Sequence, residues 1–415
     1  PTVSRLPEYL DIHSFDPLYE REESFADVYE GIVRRVVQLG ERSEGVLYGV
    51  PGHPMVGEAT VNGILARARE VEISVRVVEG LSFVGPTLTA LGIDALEGLQ
   101  IVDAVEVAAS YHPPLNPDLP ALVGQLYSRS VASAVKLTLM NEYPDDHEVA
   151  LVHAAGTDAE RIERRLLYQL DRSGVVDEAA AHLTTLYVPS FAGVASLEGL
   201  QETVARLRSP NGCPWDREQT HETLRSGLVE EAYETVAAID QGDLEGLREE
   251  LGDLLLQILL QTQIATEGGV FKMPDVIGGI DAKLRYRHPH VWGGEAVEDT
   301  AEVLQNWEAL KRAEKVERVS LLDGVPAALP ALQQAHAYGE RVARVGFDWR
   351  DVAGVRAKVY EEIKELEEAS SAERREAELG DLLFAVANWA RWLGVEPETA
   401  LRKANGRFAG RFASL

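Results

Sequence analysis

Two spacings of apolar residues divide this chain near residue 195. Before that point, short runs rich in Val, Ile and Leu alternate with stretches spaced for helices. EGVLYGV (44–50), ISVRVVEG (73–80), QIVDAVEV (100–107) and HEVALVHAAG (147–156) have the composition of strands. A helix is predicted from about Met55 to Glu70, after a PGHP loop, and AERIERRLLYQL (159–170) is spaced for another. Such alternation predicts a mostly parallel, layered α/β domain over 1–192. From Ser196 the strand signals stop, and long amphipathic stretches of Glu, Leu and Ala predict helices alone. RVSLLDGVPAALPAL (318–332), with Pro326 and Pro330, interrupts them. The pattern therefore predicts an α/β domain (1–192), a helical domain (196–312), a linker (313–332) and a second helical domain (333–415).

The two helical pieces repeat each other. EEAYE (230–234) matches EEIKE (361–365), and EELGDLLLQ (249–257) matches AELGDLLFA (377–385). ARLRSPNGCPWD aligns with ARVGFDW upstream, and AKLRYRHPHVWGG with RKANGRFAGRF downstream. Four paired segments in one order indicate an internal duplication.

Within each copy the carboxylates follow a rule. Glu231 and Glu234 are three apart, as are Glu250 and Asp253, so each pair shares a helical face. Gly242 reads as a helix end and Asp243 as the next N-cap, which makes a hairpin. Glu234 and Glu250 each lie 8 positions from Gly242, and Glu231 and Asp253 each lie 11 away. Folding at Gly242 brings all four to matching levels. In the second copy Glu365 and Glu378 are equidistant from the 371/372 junction, as are Glu362 and Asp381, with Ser370 and Glu373 forming a capping box. The apolar runs LLLQILL and LLFAVANWA are expected to put Asp253 and Asp381 at the start of buried segments. Four carboxylates in one place repel unless a cation joins them. Hard oxygen ligands from facing helices suit Mg²⁺, or Mn²⁺ in its place, with water and phosphate completing the octahedron.

Charge narrows the partners. Lys and Arg number 40 against 68 Asp and Glu, a formal charge of −28. Such a field repels nucleic-acid polymers and anionic membranes while drawing in cations. A small phosphate ligand still binds through a metal. One cysteine, Cys213, excludes an intramolecular disulfide framework and a thiolate zinc cluster, and suits the cytoplasm. It reads as a small packed residue, since no histidine or basic partner is placed next to it. No apolar run reaches the length of a membrane span, and PTVSRLPEYL has no signal-peptide pattern.

With EExxE followed by ExxD, the blocks NGCPWDREQTHETL, EELGDLLLQ, KLRYRHPHVWGG and VGFDW resemble the MazG family over about 196–415. The resemblance implies helical bundles, homodimers and Mg²⁺-dependent cleavage of nucleoside triphosphates between the α and β phosphates. Carried to matching positions, it implies Glu231, Glu234, Glu250 and Asp253, then Glu362, Glu365, Glu378 and Asp381, as metal ligands. Glu231 or Glu362 would orient or deprotonate the attacking water. Lys283, Arg287 and His288 in the first copy, and Lys403, Arg407 and Arg411 in the second, would hold the triphosphate. The three fixed charges of the second stripe suit a triphosphate better than histidines that are mostly neutral, although Gly406 and Gly410 weaken the helix there. Trp215 and Trp349 either stack on a base or plug a core.

YGVPGHPMVGE (48–58), EGLSFVGPTLTALGID (79–94) and SAVKLTLMNEYPDDHEVALVHAAGT (133–157) resemble the tetrapyrrole methylases. In such sheets ligands sit at the carboxyl ends of strands, so Gly52, His53 and Pro54 are where S-adenosylmethionine would approach. That family opens with a Gly-rich loop, and none precedes Val46, which makes S-adenosylmethionine binding the weaker expectation. Three functions stay open: a nucleoside triphosphate pyrophosphohydrolase that cleans the nucleotide pool, an S-adenosylmethionine-dependent methyltransferase with accessory helices, and a non-catalytic helical assembly or regulatory protein.

Overall fold

The computed structural model describes residues 10–22, 24–172, 183–297, 299–313 and 320–413. The chain forms two compact units, Pro1–Met273 and Pro274–Leu415.

In the first unit, α1 (Asp16–Arg21), α2 (Phe25–Gly40) and α3 (Ala59–Glu70) pack around Val28, Ile32, Val36 and Ile64. The third helix begins four residues later than its apolar spacing predicts, because Gly57 turns the chain at φ +76. After α4 (Val84–Leu91) comes β1 (Gln100–Asp103), then α5 (Ala104–Ala109), β2 (Ala121–Gly124), α6 (Arg129–Leu139), β3 (Glu148–His153), β4 (Arg161–Leu166) and β5 (Thr184–Val188).

These strands form one sheet in the order β1-β2-β5-β3-β4. Among the described residues only β1 and β2 pair in parallel; β2–β5, β5–β3 and β3–β4 are antiparallel. The sheet is therefore mixed, not mostly parallel. Its middle is apolar on both faces: Val123, Leu151 and Leu186 cluster with Leu139 of α6, and Leu122, between Ala121 and Val123 on β2, is fully buried as well.

Four expectations are corrected. Among the described residues EGVLYGV and ISVRVVEG pair with no strand, and Leu47 and Val78 stand exposed. β-branched composition favours extended backbone, whereas a strand also needs a partner for its N–H and C=O groups. QIVDAVEV is half strand and half helix, because Asp103 accepts from the Val105 N–H at 2.7 Å and caps α5. AERIERRLLYQL is the edge strand β4 and a 3₁₀ turn, paired to β3 and tied across it by Arg164 to Glu148 at 3.0 Å. The inner strand β5 is absent from the pattern-based expectation altogether.

Asp118 joins sheet and helices: its carboxylate accepts from the Ala195 and Ser196 N–H groups and from the Ser196 hydroxyl. Ser196 in turn caps α7 (Leu197–Arg208), accepting from Gly199 N–H at 2.9 Å. There follow α8 (Pro214–Glu218), α9 (Arg225–Gln241) and α10 (Leu244–Glu267). The helices α7, α9 and α10 bury Val204, Leu224, Leu259 and Leu260 between them.

The second unit takes in α11 (Met273–Arg287), apart from its first residue, with α12 (Pro289–Trp292), α13 (Thr300–Ala313), α14 (Ala331–Ala343), α15 (Val352–Glu368), α16 (Ala372–Trp392) and α17 (Pro397–Ala413). Pro330 starts α14, and 314–319 of the expected linker lie outside the described residues. Gly339 lets α14 approach α16: a Cβ there would stand 3.0 Å from Asn388 Oδ1. The last helix runs unbroken through Gly406 and Gly410.

Candidate metal and nucleotide site

Each helical hairpin forms where the turn residues place it. Gly242 ends α9 in the left-handed region at φ +68, and Asp243 caps α10 by accepting from the Gly246 N–H at 3.0 Å. In the second copy the cap is Ser371, not Ser370: its hydroxyl accepts from the Arg374 N–H at 3.2 Å. Antiparallel pairs α9–α10 and α15–α16 result.

Both hairpins collect carboxylates. Oxygens of Glu231, Glu234 and Glu250 lie within 4.8 Å of one another, and so do those of Glu362, Glu365 and Glu378. Opposite vertices of a Mg²⁺ octahedron are about 4.2 Å apart, so either trio needs little contraction to share one ion. Asp253 stands outside its trio yet close enough to repel it. Burial first, then Asp253, Glu234 and Glu250, pushes the Glu231 carboxyl up. Burial, then Glu234 and Asp253, does the same to Glu250. Asp381 also stands outside its trio and is exposed, contrary to expectation, although Ala385 and Asn388, one and two turns further along the same face, are buried.

The donor set suits a hard divalent cation. Glu362 is 4% exposed, and its Oε2 is buried without a hydrogen-bond partner. A lone buried carboxylate oxygen costs free energy unless a positive group reaches it.

The second cluster also holds cations that sequence reasoning missed. Lys358 Nζ lies 2.7 Å from Glu362 Oε1 and 2.7 Å from Glu361 Oε1. These bonds hold the Lys358 ammonium well above its ordinary pKa. Arg374 reaches Glu378 at 3.9 Å. Burial, then Glu362 and Glu378, pushes Glu365 up, with Lys358 opposing. The i,i+4 spacing of Lys358 to Glu362 was visible in VRAKVYEE, but such pairs are common on solvated helices.

The other expected residues scatter. Trp215 is 63% exposed, so it plugs no core, and Trp349 packs on Gly354. By chain position Lys283, Arg287 and His288 belong to the second compact unit and Glu231 to the first. Arg287 lies over the Trp307 ring at 5.4 Å, and His288 Nδ1 contacts the Leu284 carbonyl at 2.7 Å. Lys403, Arg407 and Arg411 line α17 at spacings of four, all exposed. Gly52 takes φ +82 beside His53, whose Nδ1 accepts from the Met55 N–H, so Gly52, His53 and Pro54 form a tight turn.

Known proteins resemble both parts. Residues 219–292 match the MazG nucleotide pyrophosphohydrolase domain, and 2–171 match the Tetrapyrrole (Corrin/Porphyrin) Methylases. Uncharacterized protein YabN of Bacillus subtilis is 42% identical over 425 residues, covering 100% of this chain and 85% of YabN. Nucleoside triphosphate pyrophosphohydrolase/pyrophosphatase MazG of Thermotoga maritima is 45% identical over 219 residues, 52% of this chain and 84% of that protein. The nucleoside triphosphate pyrophosphohydrolase of Escherichia coli is 46% identical over 227 residues, 53% of this chain and 86% of the relative.

Proposed function

This chain belongs to the MazG family of nucleoside triphosphate pyrophosphohydrolases, hydrolases acting on acid anhydrides, joined to a tetrapyrrole methylase domain; from that premise we propose that it uses Mg²⁺ or Mn²⁺ to cut nucleoside triphosphates to the monophosphate and pyrophosphate. The observation that carries the metal is the pair of carboxylate trios. Glu231, Glu234 and Glu250, helped by Asp253, would hold an ion in the first hairpin, and Glu362, Glu365 and Glu378, helped by Asp381, in the second. A bound ion neutralises phosphate charge and acidifies a coordinated water. Glu231, whose carboxyl is pushed up by burial and its acidic neighbours, would orient the attacking water and take its proton, with Glu362 in the same role in the second copy. Lys403, Arg407 and Arg411 on α17 would hold the phosphates in the second copy, and exposed Trp215 and Trp349 offer faces to a base.

Nucleotide-pool cleaning in the cytoplasm, by a homodimer, completes the reading. Leu244, Leu251 and Ile258 recur every seven residues on α10 and stay exposed, an apolar stripe of the kind a partner helix covers. Among the described residues no helix is long and apolar enough to cross a membrane. The test is a panel of nucleoside triphosphates with Mg²⁺, resolving products: monophosphate plus pyrophosphate is expected, and diphosphate plus orthophosphate overturns the assignment. A second reading, methyl transfer from S-adenosylmethionine, rests on the methylase match over 2–171. Stoichiometric S-adenosylmethionine binding by calorimetry would favour it.

A further inference from the structure

The rungs of carboxylates continue one level further, and there the two hairpins part. Gly227 and Gln257 each lie 15 positions from Gly242, while Lys358 and Ala385 are equidistant from the 371/372 junction. The third rung is thus Gly and Gln in one copy, Lys and Ala in the other. Geometry agrees with the count: a Cβ on Gly227 would stand 3.0 Å from Gln257 Nε2. Gln257 is 9% exposed, and its Oε1 is buried without a hydrogen-bond partner. The first hairpin therefore offers an unsatisfied acceptor one helical turn beyond Asp253. The second offers an ammonium 2.7 Å from Glu362 Oε1. A further swap supports this, since Arg374, which approaches Glu378, corresponds to Gly246 in the first copy.

Among the described residues, Glu231, Glu234, Glu250 and Asp253 form no ion pair with any Lys or Arg. Four carboxylates there share no fixed countercharge, whereas those of the second hairpin share two. A fixed ammonium repels a divalent ion and also occupies a lone pair that the ion would use.

On the reading of both trios as cation sites, we propose that the two hairpins bind divalent cations with unequal affinity. The first is a tight site that holds its ion without nucleotide, with Gln257 Oε1 accepting a hydrogen bond from a water on that ion. The second is weak, because Lys358 must leave Glu362 first, and its ion arrives with the phosphates of a nucleotide.

The test titrates Mn²⁺ alone into the full chain by calorimetry, with bound ion counted by electron paramagnetic resonance. Two classes of site differing by about tenfold or more in Kd are expected, the size of effect one nearby unit charge produces. Glu250→Gln removes the tight class and Glu378→Gln the weak one. Lys358→Met tightens the weak class, while Lys358→Arg leaves it weak. The reciprocal Gly227→Lys with Gln257→Ala weakens the tight class, and it carries the test if Lys358→Met fails to fold. Two indistinguishable classes with nucleotide hydrolysis intact overturn this inference alone, as does a folded Lys358→Met with an unchanged weak class. No Mn²⁺ binding at all overturns both the inference and the metal reading of the function.

Discussion

The two hairpins keep one fold but latch it with opposite polarity. In the first repeat the cation is buried: Arg208 from the end of α7 grips both Glu267 oxygens at the far end of α10 and donates to the Asp216 and Gln219 carbonyls. In the second the anion sits in the loop. Asp348 accepts from Arg391 at 2.6 Å and from the Trp392 indole N–H at 3.1 Å, both on α16. Each latch ties the Trp-bearing segment to the end of the hairpin remote from the carboxylates. The duplication thus conserved where a charge pair is needed while exchanging which element supplies which sign. At the carboxylate end it did not conserve charge: Lys358 and Arg374 stand where the first copy has glycines.

The sharpest way to break this comparison is turnover. The second hairpin belongs with α17 and its three basic residues, so Glu378→Gln is expected to lower kcat by about a hundredfold or more. On the reading that the second copy, with that stripe, carries most of the turnover and the first mainly scaffolds, Glu250→Gln should leave kcat at saturating Mg²⁺ within about threefold. Equal losses would show that the copies share the work.

Stability gives a smaller effect. Arg208→Ala removes a buried guanidinium with three acceptors, while Glu267 keeps more than a third of its side chain in water. A loss of about 2–3 kcal/mol follows, at the lower end for a broken buried pair. Asp348→Asn should cost less, about 1–2 kcal/mol, because the amide still accepts a hydrogen bond. Denaturant melts that ranked them the other way would refute the claim that the buried cation is the stronger latch.

The pH dependence is the smallest and carries two signs. Arg208 holds the Glu267 carboxyl below its ordinary range. Burial pushes Asp348 up, but Arg391 and Trp392 outweigh it and the net shift is down. Depressed carboxylates stabilise above the unfolded pKa of about 4, and that stability is lost as pH falls through the folded values. Glu231, Glu250 and Glu365 are raised, so their contribution is present below the unfolded pKa and lost as pH rises through the folded values. In chelator, the melting temperature should therefore fall on both sides of the carboxylate range, and Mg²⁺ should remove only the loss on the alkaline side. An alkaline-side loss that Mg²⁺ leaves unchanged would place its origin outside the clusters.

What was legible in the sequence was whatever a helix decides within a few residues. The equidistance of Glu234 and Glu250 from Gly242 predicted a hairpin whose carboxylates meet, and the positive φ of Gly242 with the cap at Asp243 builds that hairpin. Helical side-chain direction depends on position along one chain, so counting suffices. Counting failed by one residue at Ser371, where two serines compete for the cap, and at Asp381, which shares the spacing of Asp253 but faces water.

Sheet pairing lay beyond such counting. QIVDAVEV and EGVLYGV carry similar apolar signals, yet only Gln100–Asp103 finds a ladder, and RIERRL became a strand because β3 lay beside it. A strand is stabilised by groups remote in sequence, so its existence is a property of the assembled sheet. The same holds for the buried Gln257 and Glu362 oxygens: their identities are written in the chain, but their isolation from any donor arises only when neighbouring helices exclude water.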